Sequence, residues 1–92
     1  MRRAGLWVLA LCLLLPACSR PLPEENSRAA ALYRARCGSC HAPFQPELLT
    51  DAMWRAMVER MEKGEMRRAG LGLEPAERRE LLAYLVRNAA RR

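Results

Sequence analysis

The chain has 92 residues and a formal net charge of +6, from 16 basic and 10 acidic side chains. A chain of this length forms one small domain, and so small a domain buries little core from its own side chains. The basic excess is modest and dispersed, which is typical of solvated helix faces; the alternative is weak electrostatic attraction to an acidic partner or to anionic headgroups. Nucleic acid is not an expected partner, because the amino-terminal sequence predicts export.

The first predicted element is a secretory leader. Arg2 and Arg3 form its positive n-region, and an apolar run follows from Leu6 to Leu15. This run is too short to span a bilayer, which needs about 20 apolar residues. We therefore expect residues 1–17 to be a signal peptide that is removed on export.

The leader ends in Leu15-Pro16-Ala17-Cys18, which resembles the lipobox of bacterial lipoproteins. The resemblance implies cleavage before Cys18 and acylation of both its thiol and its new amino group. Each buried methylene group of an acyl chain adds about 0.8 kcal/mol of membrane binding, so the protein would be membrane-anchored without a spanning helix. The alternative is an ordinary signal peptide cut near Ala17. The implied location is the periplasmic side of a bacterial membrane, and Ser19 resembles the outer-membrane sorting preference of Gram-negative bacteria.

A proline-rich polar segment separates the lipidation site from the domain. Residues 18–26 are expected to form a semi-extended, lipid-anchored linker that reaches roughly 20 Å at about 3 Å per residue. The domain then comprises residues 27–92. Its first helix is predicted to begin at a cap on Asn26 or Ser27 and to run to about Arg36, because this stretch is rich in alanine.

Cys37-Gly38-Ser39-Cys40-His41 has the C-x-x-C-H spacing of a covalent attachment site for haem c. The two thiols add across the haem vinyl groups, and the adjacent imidazole reaches the iron from one face. A redox-active dithiol and half of a zinc site are the alternatives. A redox-active dithiol of the thioredoxin type lies in a βαβ pattern, which this chain does not show. A zinc site needs further Cys or His ligands, and the sequence has none outside the leader. We therefore expect one haem c per chain, bound through Cys37 and Cys40, with His41 on the iron.

The segment after the motif contains two prolines and is expected to be extended and irregular. A backbone carbonyl of this segment would accept the His41 Nδ1 proton and so present Nε2 to the iron. Pro43 is the first candidate for this carbonyl and Pro46 is the second. Pro43 is also expected to pack beside the haem.

A second helix is predicted to begin after an N-cap at Thr50 and to end near Gly64. Residues 54, 57, 58 and 61 recur at the spacing of one helical face, which is apolar. Trp54 on this face is expected to pack on a haem edge or to donate to a haem propionate.

A third helix is predicted to follow a basic, glycine-containing connection over residues 65–73. Glu74-Pro75 opens this helix, with proline at its first position. Its buried stripe is expected to consist of Leu81, Leu82, Leu85 and Ala89. No strand pattern is recognisable, so the predicted fold class is all-α, with the first and last helices crossing.

Three sequence anchors resemble those of small bacterial monohaem cytochromes c. They are the C-x-x-C-H motif, the pattern W-x-x-x-V-x-R-M over residues 54–61, and Tyr84-Leu85 in the final helix. The resemblance covers residues 32–88 and implies a three-helix, class I-like cytochrome c domain around one covalent haem. It also implies one-electron transfer to or from a redox partner protein. We expect no enzymatic activity, because the motif takes the only histidine and leaves no Ser-His or Cys-His nucleophile pair. Tyr33 and Tyr84 are expected to pack between helices.

The distal iron ligand is left open between two methionines. In the resembling pattern the Met after the Arg is the natural ligand, which falls on Met61. Many class I cytochromes instead use a Met from a loop before the last helix, which Met66 fits. If neither sulfur reaches the iron, the chain fits a haem-based ligand binder or sensor. An exposed apolar patch on the third helix would instead favour a cytochrome subunit of a larger oxidoreductase complex.

Overall fold

The computed structural model describes residue 5 and residues 20–91 of the chain. Residues 20–91 form helices and turns without a strand, which confirms the predicted all-α class. The predicted signal peptide and the predicted lipidation site at Cys18 lie outside the described residues, apart from residue 5. The elements are α1 (Arg28–Cys37), a 3-10 turn (Pro46–Leu48), α2 (Asp51–Lys63), α3 (Glu65–Arg68) and α4 (Pro75–Arg87).

The three long helices begin where local sequence signals predict. The side-chain oxygens of Ser27 and Thr50 accept backbone N–H groups three residues further on, at 3.0 and 3.3 Å. At the start of α4, Glu74 and Glu77 form a reciprocal capping box, and Pro75 occupies the first helical position. Each cap satisfies N–H groups that have no partner within the helix, so each fixes the start of its helix.

The connection between α2 and α4 contains a helical turn that the sequence did not predict. Helix α2 ends at Gly64 as predicted, but a one-turn helix, α3, begins directly after it. Gly70 then adopts a φ of +71°, a left-handed conformation that favours glycine, and the chain leaves α3. The extra turn places Met66 in a helix rather than in a loop.

The core lies between α4 and the two other long helices. Helix α4 packs against both α1 and α2, so the first and last helices contact each other as predicted. The Tyr33 and Tyr84 rings lie 5.8 Å apart between α1 and α4, which confirms their packing role. The buried helix residues of this core are Ala29, Ala30, Tyr33, Trp54, Val58, Leu81, Tyr84 and Leu85. Leu82 is partly buried, and Ala89 lies beyond the end of α4.

Residues 20–26, which we call the N-terminal strap, pack on the domain instead of extending away from it. Leu22 is only 9% exposed and belongs to the core. The Tyr84 hydroxyl donates to the Pro23 carbonyl at 3.0 Å. The N-terminal strap is therefore not the extended spacer that the sequence predicted. The burial of Leu22 and the hydrogen bond from Tyr84 hold it on the domain. No helix between residues 20 and 91 has both the length and the hydropathy to cross a bilayer.

Candidate functional site

The C-x-x-C-H motif begins at the carboxyl end of α1. Cys37 is the last helical residue, and Gly38 ends the helix by donating its N–H to the Arg34 carbonyl at 2.9 Å. The chain then turns through Cys40 to His41. Cys37 is half-buried, whereas Cys40 and His41 are exposed. The helix end thus fixes the position of Cys37, and the turn that follows determines the positions of Cys40 and His41.

Gly38 is required by this turn for steric reasons. A Cβ atom at this position would lie 2.3 Å from the Arg34 carbonyl oxygen, which is a backbone atom. A contact this short forces either the helix end or the motif to move. The first variable position of the motif therefore accepts no side chain in this arrangement.

The motif borders a partly open apolar cleft. Residues from all three long helices, from α3 and from the segment after the motif line this cleft. A cysteine and a histidine stand at its edge, and its walls are almost entirely aliphatic, aromatic or thioether groups. This combination fits haem, a flat and largely apolar macrocycle. The lining residues are Tyr33, Cys37, His41, Pro43, Phe44, Trp54, Met57, Val58, Met61, Met66, Leu73, Leu81 and Leu85.

The structure brings the predicted site residues of the domain together. Six of them line the cleft, and Cys40 lines an opening that adjoins it. Cys18 lies outside the described residues, so its role stays a prediction. The six residues in the cleft are Cys37, His41, Pro43, Trp54, Met61 and Met66.

The partner of the His41 ring differs from the predicted one. His41 Nδ1 lies 2.9 Å from the Ala42 carbonyl oxygen, not from that of Pro43. The second candidate, the Pro46 carbonyl, accepts the Trp54 indole N–H at 2.7 Å. Both predictions of the acceptor are wrong. The Ala42 carbonyl, next in the chain, is within hydrogen-bond reach of the His41 ring, and the Pro46 carbonyl accepts the Trp54 N–H instead. Trp54 accordingly lines the cleft with its ring while its N–H is already bonded.

Tyr33 holds the same segment, a role that sequence reasoning missed. Its hydroxyl donates to the Phe44 carbonyl at 2.7 Å, and burial raises the Tyr33 pKa above its ordinary value. The Phe44 ring in turn lies 5.3 Å from the His41 ring. The available sequence signal was the place of Tyr33 one helical turn before Cys37, which puts both side chains on one side of α1.

Both candidate distal ligands lie at the cleft. Met61 is half-buried on α2, and Met66 is 5% exposed on α3. Each lines the cleft and also the adjoining opening beside Cys40. Met57 lines the cleft but not the adjoining opening, and Met53 is 52% exposed. The identity of the distal ligand therefore stays a prediction.

The environment of Cys37 disfavours a redox-active dithiol. Burial raises the pKa of the Cys37 thiol to about 11, whereas reactive cysteines have a lowered pKa. Cys37 also stands at the carboxyl end of α1, where the partial negative charge of the helix destabilises a thiolate. Within residues 20–91, no three side chains of His, Cys, Asp or Glu come together as ligands for a metal ion.

An ion pair ties the residue before Cys37 to the start of α4. The Arg36 guanidinium donates to the Glu77 carboxylate at 2.9 Å, across a partly buried surface. The Glu77 carboxylate also accepts the Glu74 backbone N–H at 3.1 Å. That backbone hydrogen bond, followed by the one from Arg36, lowers the Glu77 pKa. The end of α1, and with it Cys37, is thereby fixed against α4.

Comparison with known proteins identifies the family. A model of the dihaem cytochrome c family matches residues 33–92, about two thirds of the chain. The chain belongs to the dihaem cytochrome c family. Membership establishes this protein as a c-type cytochrome that binds haem c and serves haem-based electron transfer. Neither a search of the curated proteins nor a search of the solved structures finds a match.

Proposed function

We propose that this cytochrome carries one haem c per chain and transfers single electrons on the periplasmic side of a bacterial membrane. The observation that carries the proposal is the position of the C-x-x-C-H motif at the edge of the apolar cleft. Bound haem supplies a one-electron redox couple, whose potential depends on the axial ligands, burial and hydrogen bonding.

Different residues of the cleft would bind different parts of the haem. Cys37 and Cys40 would form its two thioether bonds, and His41 would supply the proximal nitrogen. The Ala42 carbonyl, 2.9 Å from His41 Nδ1, would orient the imidazole and favour Nε2 as the iron ligand. Met61 or Met66 would supply the distal sulfur. The apolar walls exclude water, which disfavours the more charged oxidised state and raises the potential.

The proposed count of one haem differs from the two haems in the name of the matched family. The 92 residues contain one C-x-x-C-H motif and one histidine, His41. The two remaining cysteines, Cys12 and Cys18, do not have the spacing of the motif and belong to the predicted leader and lipidation site. The sequence thus offers one site of this type for covalent attachment.

Intact-mass spectrometry of the exported protein tests the haem count and attachment. We expect the mass of the chain plus one haem, and haem staining that persists in a denaturing gel. Replacement of both motif cysteines, in Cys37→Ala/Cys40→Ala, should abolish the stained band. A mass with two haems would contradict the count, and haem that leaves on acid–organic extraction would contradict covalent attachment.

We further propose that Cys18 is the lipidated amino terminus of the mature protein. The support is the sequence Leu15-Pro16-Ala17-Cys18 after an apolar run. The same mass measurement should show a chain that starts at Cys18 and carries acyl groups, and Cys18→Ser should release the protein from the membrane fraction. An unmodified amino terminus at another residue would contradict lipidation.

The described surface does not favour a subunit of a larger complex through α4. The large apolar side chains exposed within residues 20–91 are Phe44, Leu48 and Met53, and none of them lies on α4. The apolar patch that would support such a subunit is therefore not found on the helix where it was expected. We retain electron transfer by a membrane-anchored cytochrome as the proposed function.

A further inference from the structure

The start of the N-terminal strap is fixed against the 3-10 turn. The Arg20 guanidinium forms an ion pair with the Glu47 carboxylate. From the same turn region, the Gln45 side-chain amide donates to the carbonyls of Arg20 and Pro21, at 2.9 and 3.2 Å. The first described residues of the chain thus have a defined place on the domain surface.

The carboxyl end of the chain reaches the same place. The Ala90 N–H donates to the Leu49 carbonyl at 2.9 Å, which puts Arg91 beside the residues that follow the 3-10 turn. A shallow groove joins the strap, the turn and the end of α4, lined by Arg20, Pro21, Pro23, Gln45, Glu47 and Asn88. We call the three exposed residues at this junction, Arg20, Leu48 and Arg91, the anchor corner.

The chemistry of the anchor corner suits a lipid surface. Leu48 is 62% exposed, the highest exposure among the large apolar side chains of residues 20–91. The Arg20 side chain is 71% exposed, and Arg91 is exposed as well. Exposed apolar and arginine side chains at one junction of the fold match the boundary between acyl chains and anionic headgroups.

A short stretch of sequence separates the proposed lipidation site from the strap. Cys18 precedes Arg20 by two residues, a span of at most about 7 Å in extended backbone. Arg20 is itself held on the domain by Glu47 and Gln45. Acylation of Cys18 would therefore bring the domain surface around Arg20 close to the lipid.

We propose that the anchor corner rests on the lipid surface that holds Cys18. Leu48 enters the interface and Arg91 lies among anionic headgroups, while Arg20 keeps its ion pair with Glu47 at the lipid surface. This orientation rests on the proposed lipidation of Cys18. The residues that line the haem cleft and its adjoining opening include no member of the anchor corner. The residues proposed to contact the bilayer are therefore distinct from those that line the haem cleft.

Hydrogen–deuterium exchange of the lipidated holoprotein tests this orientation. The protein is reconstituted in vesicles of phosphatidylcholine and phosphatidylglycerol, and the reference is the unlipidated Cys18→Ser holoprotein with the same vesicles. We expect amides of residues 45–50 to exchange severalfold more slowly in the lipidated protein. Exchange over residues 37–41 should be equal in the two proteins.

Matched variants separate a lipid contact from a general effect of tethering. Leu48→Ser should remove most of the protection, whereas Met53→Ser, at an apolar residue of similar exposure, should keep it. Arg91→Gln should weaken the protection only in vesicles with phosphatidylglycerol, and Arg55→Gln on exposed α2 surface should not. Equal effects of Leu48→Ser and Met53→Ser would overturn the assignment of the anchor corner.

Intact mass is measured first on the same preparation, so that the two proposals fail separately. An unacylated chain would overturn the lipidation of Cys18 and the orientation with it. An acylated chain whose residues 45–50 exchange as in Cys18→Ser would overturn the orientation alone. Protection over residues 37–41 instead would place the haem side on the membrane, which also overturns it.

Discussion

Gly38 illustrates at the scale of a single residue how the helix before the motif restricts the motif itself. Gly38→Ala places a methyl group against the Arg34 carbonyl oxygen, a backbone atom, so the helix end or the turn must shift. We expect a loss of about 1–3 kcal/mol in unfolding free energy, the usual range for overpacking, and less covalent haem per chain. Thermal unfolding and the ratio of haem to protein absorbance measure the two effects.

Ser39→Ala is the matched control within the same turn. It removes only the exposed hydrogen bond from the Ser39 hydroxyl to the Ala35 carbonyl, at 2.9 Å. Haem attachment should stay close to that of the unmodified protein. If Gly38→Ala attached haem as fully as Ser39→Ala, the steric requirement at Gly38 would be refuted.

The distal ligand is the second question that single residues decide. Met61→Ala should abolish the far-red charge-transfer band of a thioether on ferric haem and lower the reduction potential, because thioether sulfur favours ferrous iron. Met66→Ala should keep the band and reduce stability by about 2–5 kcal/mol, since Met66 is buried. Absorption spectra of the oxidised variants distinguish the two residues.

Two other outcomes of these spectra would also decide the distal ligand of the iron. Loss of the band in Met66→Ala alone would make Met66 the ligand, in agreement with its place at the cleft. Absence of the band from the unmodified protein would contradict both methionines and favour a ligand binder with an open distal face.

At the scale of elements, the segment between α1 and α2 is held by side chains of both helices. Tyr33 on α1 donates to the Phe44 carbonyl, and Trp54 on α2 donates to the Pro46 carbonyl. The segment has little regular structure of its own apart from the 3-10 turn, so these two bonds help to determine its path. That path carries Pro43 and Phe44 past the haem cleft.

Removal of the Tyr33 hydroxyl tests this role. Tyr33→Phe leaves the Phe44 carbonyl without its donor, and we expect a cost of about 1 kcal/mol in unfolding free energy. The reduction potential should shift too, because Phe44 packs on His41. Tyr84→Phe is the matched control, since it loses a similar bond, to the Pro23 carbonyl, away from the motif. Equal potentials in the two variants would contradict a role of Tyr33 at the haem.

At the scale of the whole molecule, the N-terminal strap connects the two ends of the domain. Glu24 receives hydrogen bonds from Arg87 at 2.8 Å and Asn88 at 2.6 Å. It does so with a φ of +53°, a conformation that is strained for a residue other than glycine. The hydrogen bonds from Arg87, followed by those from Asn88, lower the Glu24 pKa from 4.5 to about 2.

Acid should therefore release the strap. Because the Glu24 pKa is lower in the folded chain, its ionised form stabilises folding fully above pH 4.5, and this contribution is lost as pH falls to about 2. Glu24→Gln should lower the denaturant midpoint at neutral pH, and the difference from the unmodified protein should vanish near pH 2. Glu25→Gln, at the exposed neighbouring carboxylate, is the control. A difference that persisted unchanged at pH 2 would contradict the role of the Glu24 charge.

The sequence by itself determined the features that depend on neighbouring residues. The caps at Ser27 and Thr50 act within one helical turn, so their residue types identify the helix starts directly. The spacing of Cys37, Cys40 and His41 is likewise a local property, because it matches the dimensions of the haem. The all-α class followed from helical periodicity.

Only the tertiary structure decided which distant groups meet. The Tyr33–Phe44 hydrogen bond joins residues 11 apart in the chain, and the Tyr84–Pro23 bond joins residues 61 apart. A polar side chain shows in the sequence that it needs a partner, but the partner depends on how the helices pack. The docked strap and the acceptor of the Trp54 indole both arise in this way. The sequence predicted the chemistry of the haem site, and the packing of α1, α2 and α4 determined which groups surround it.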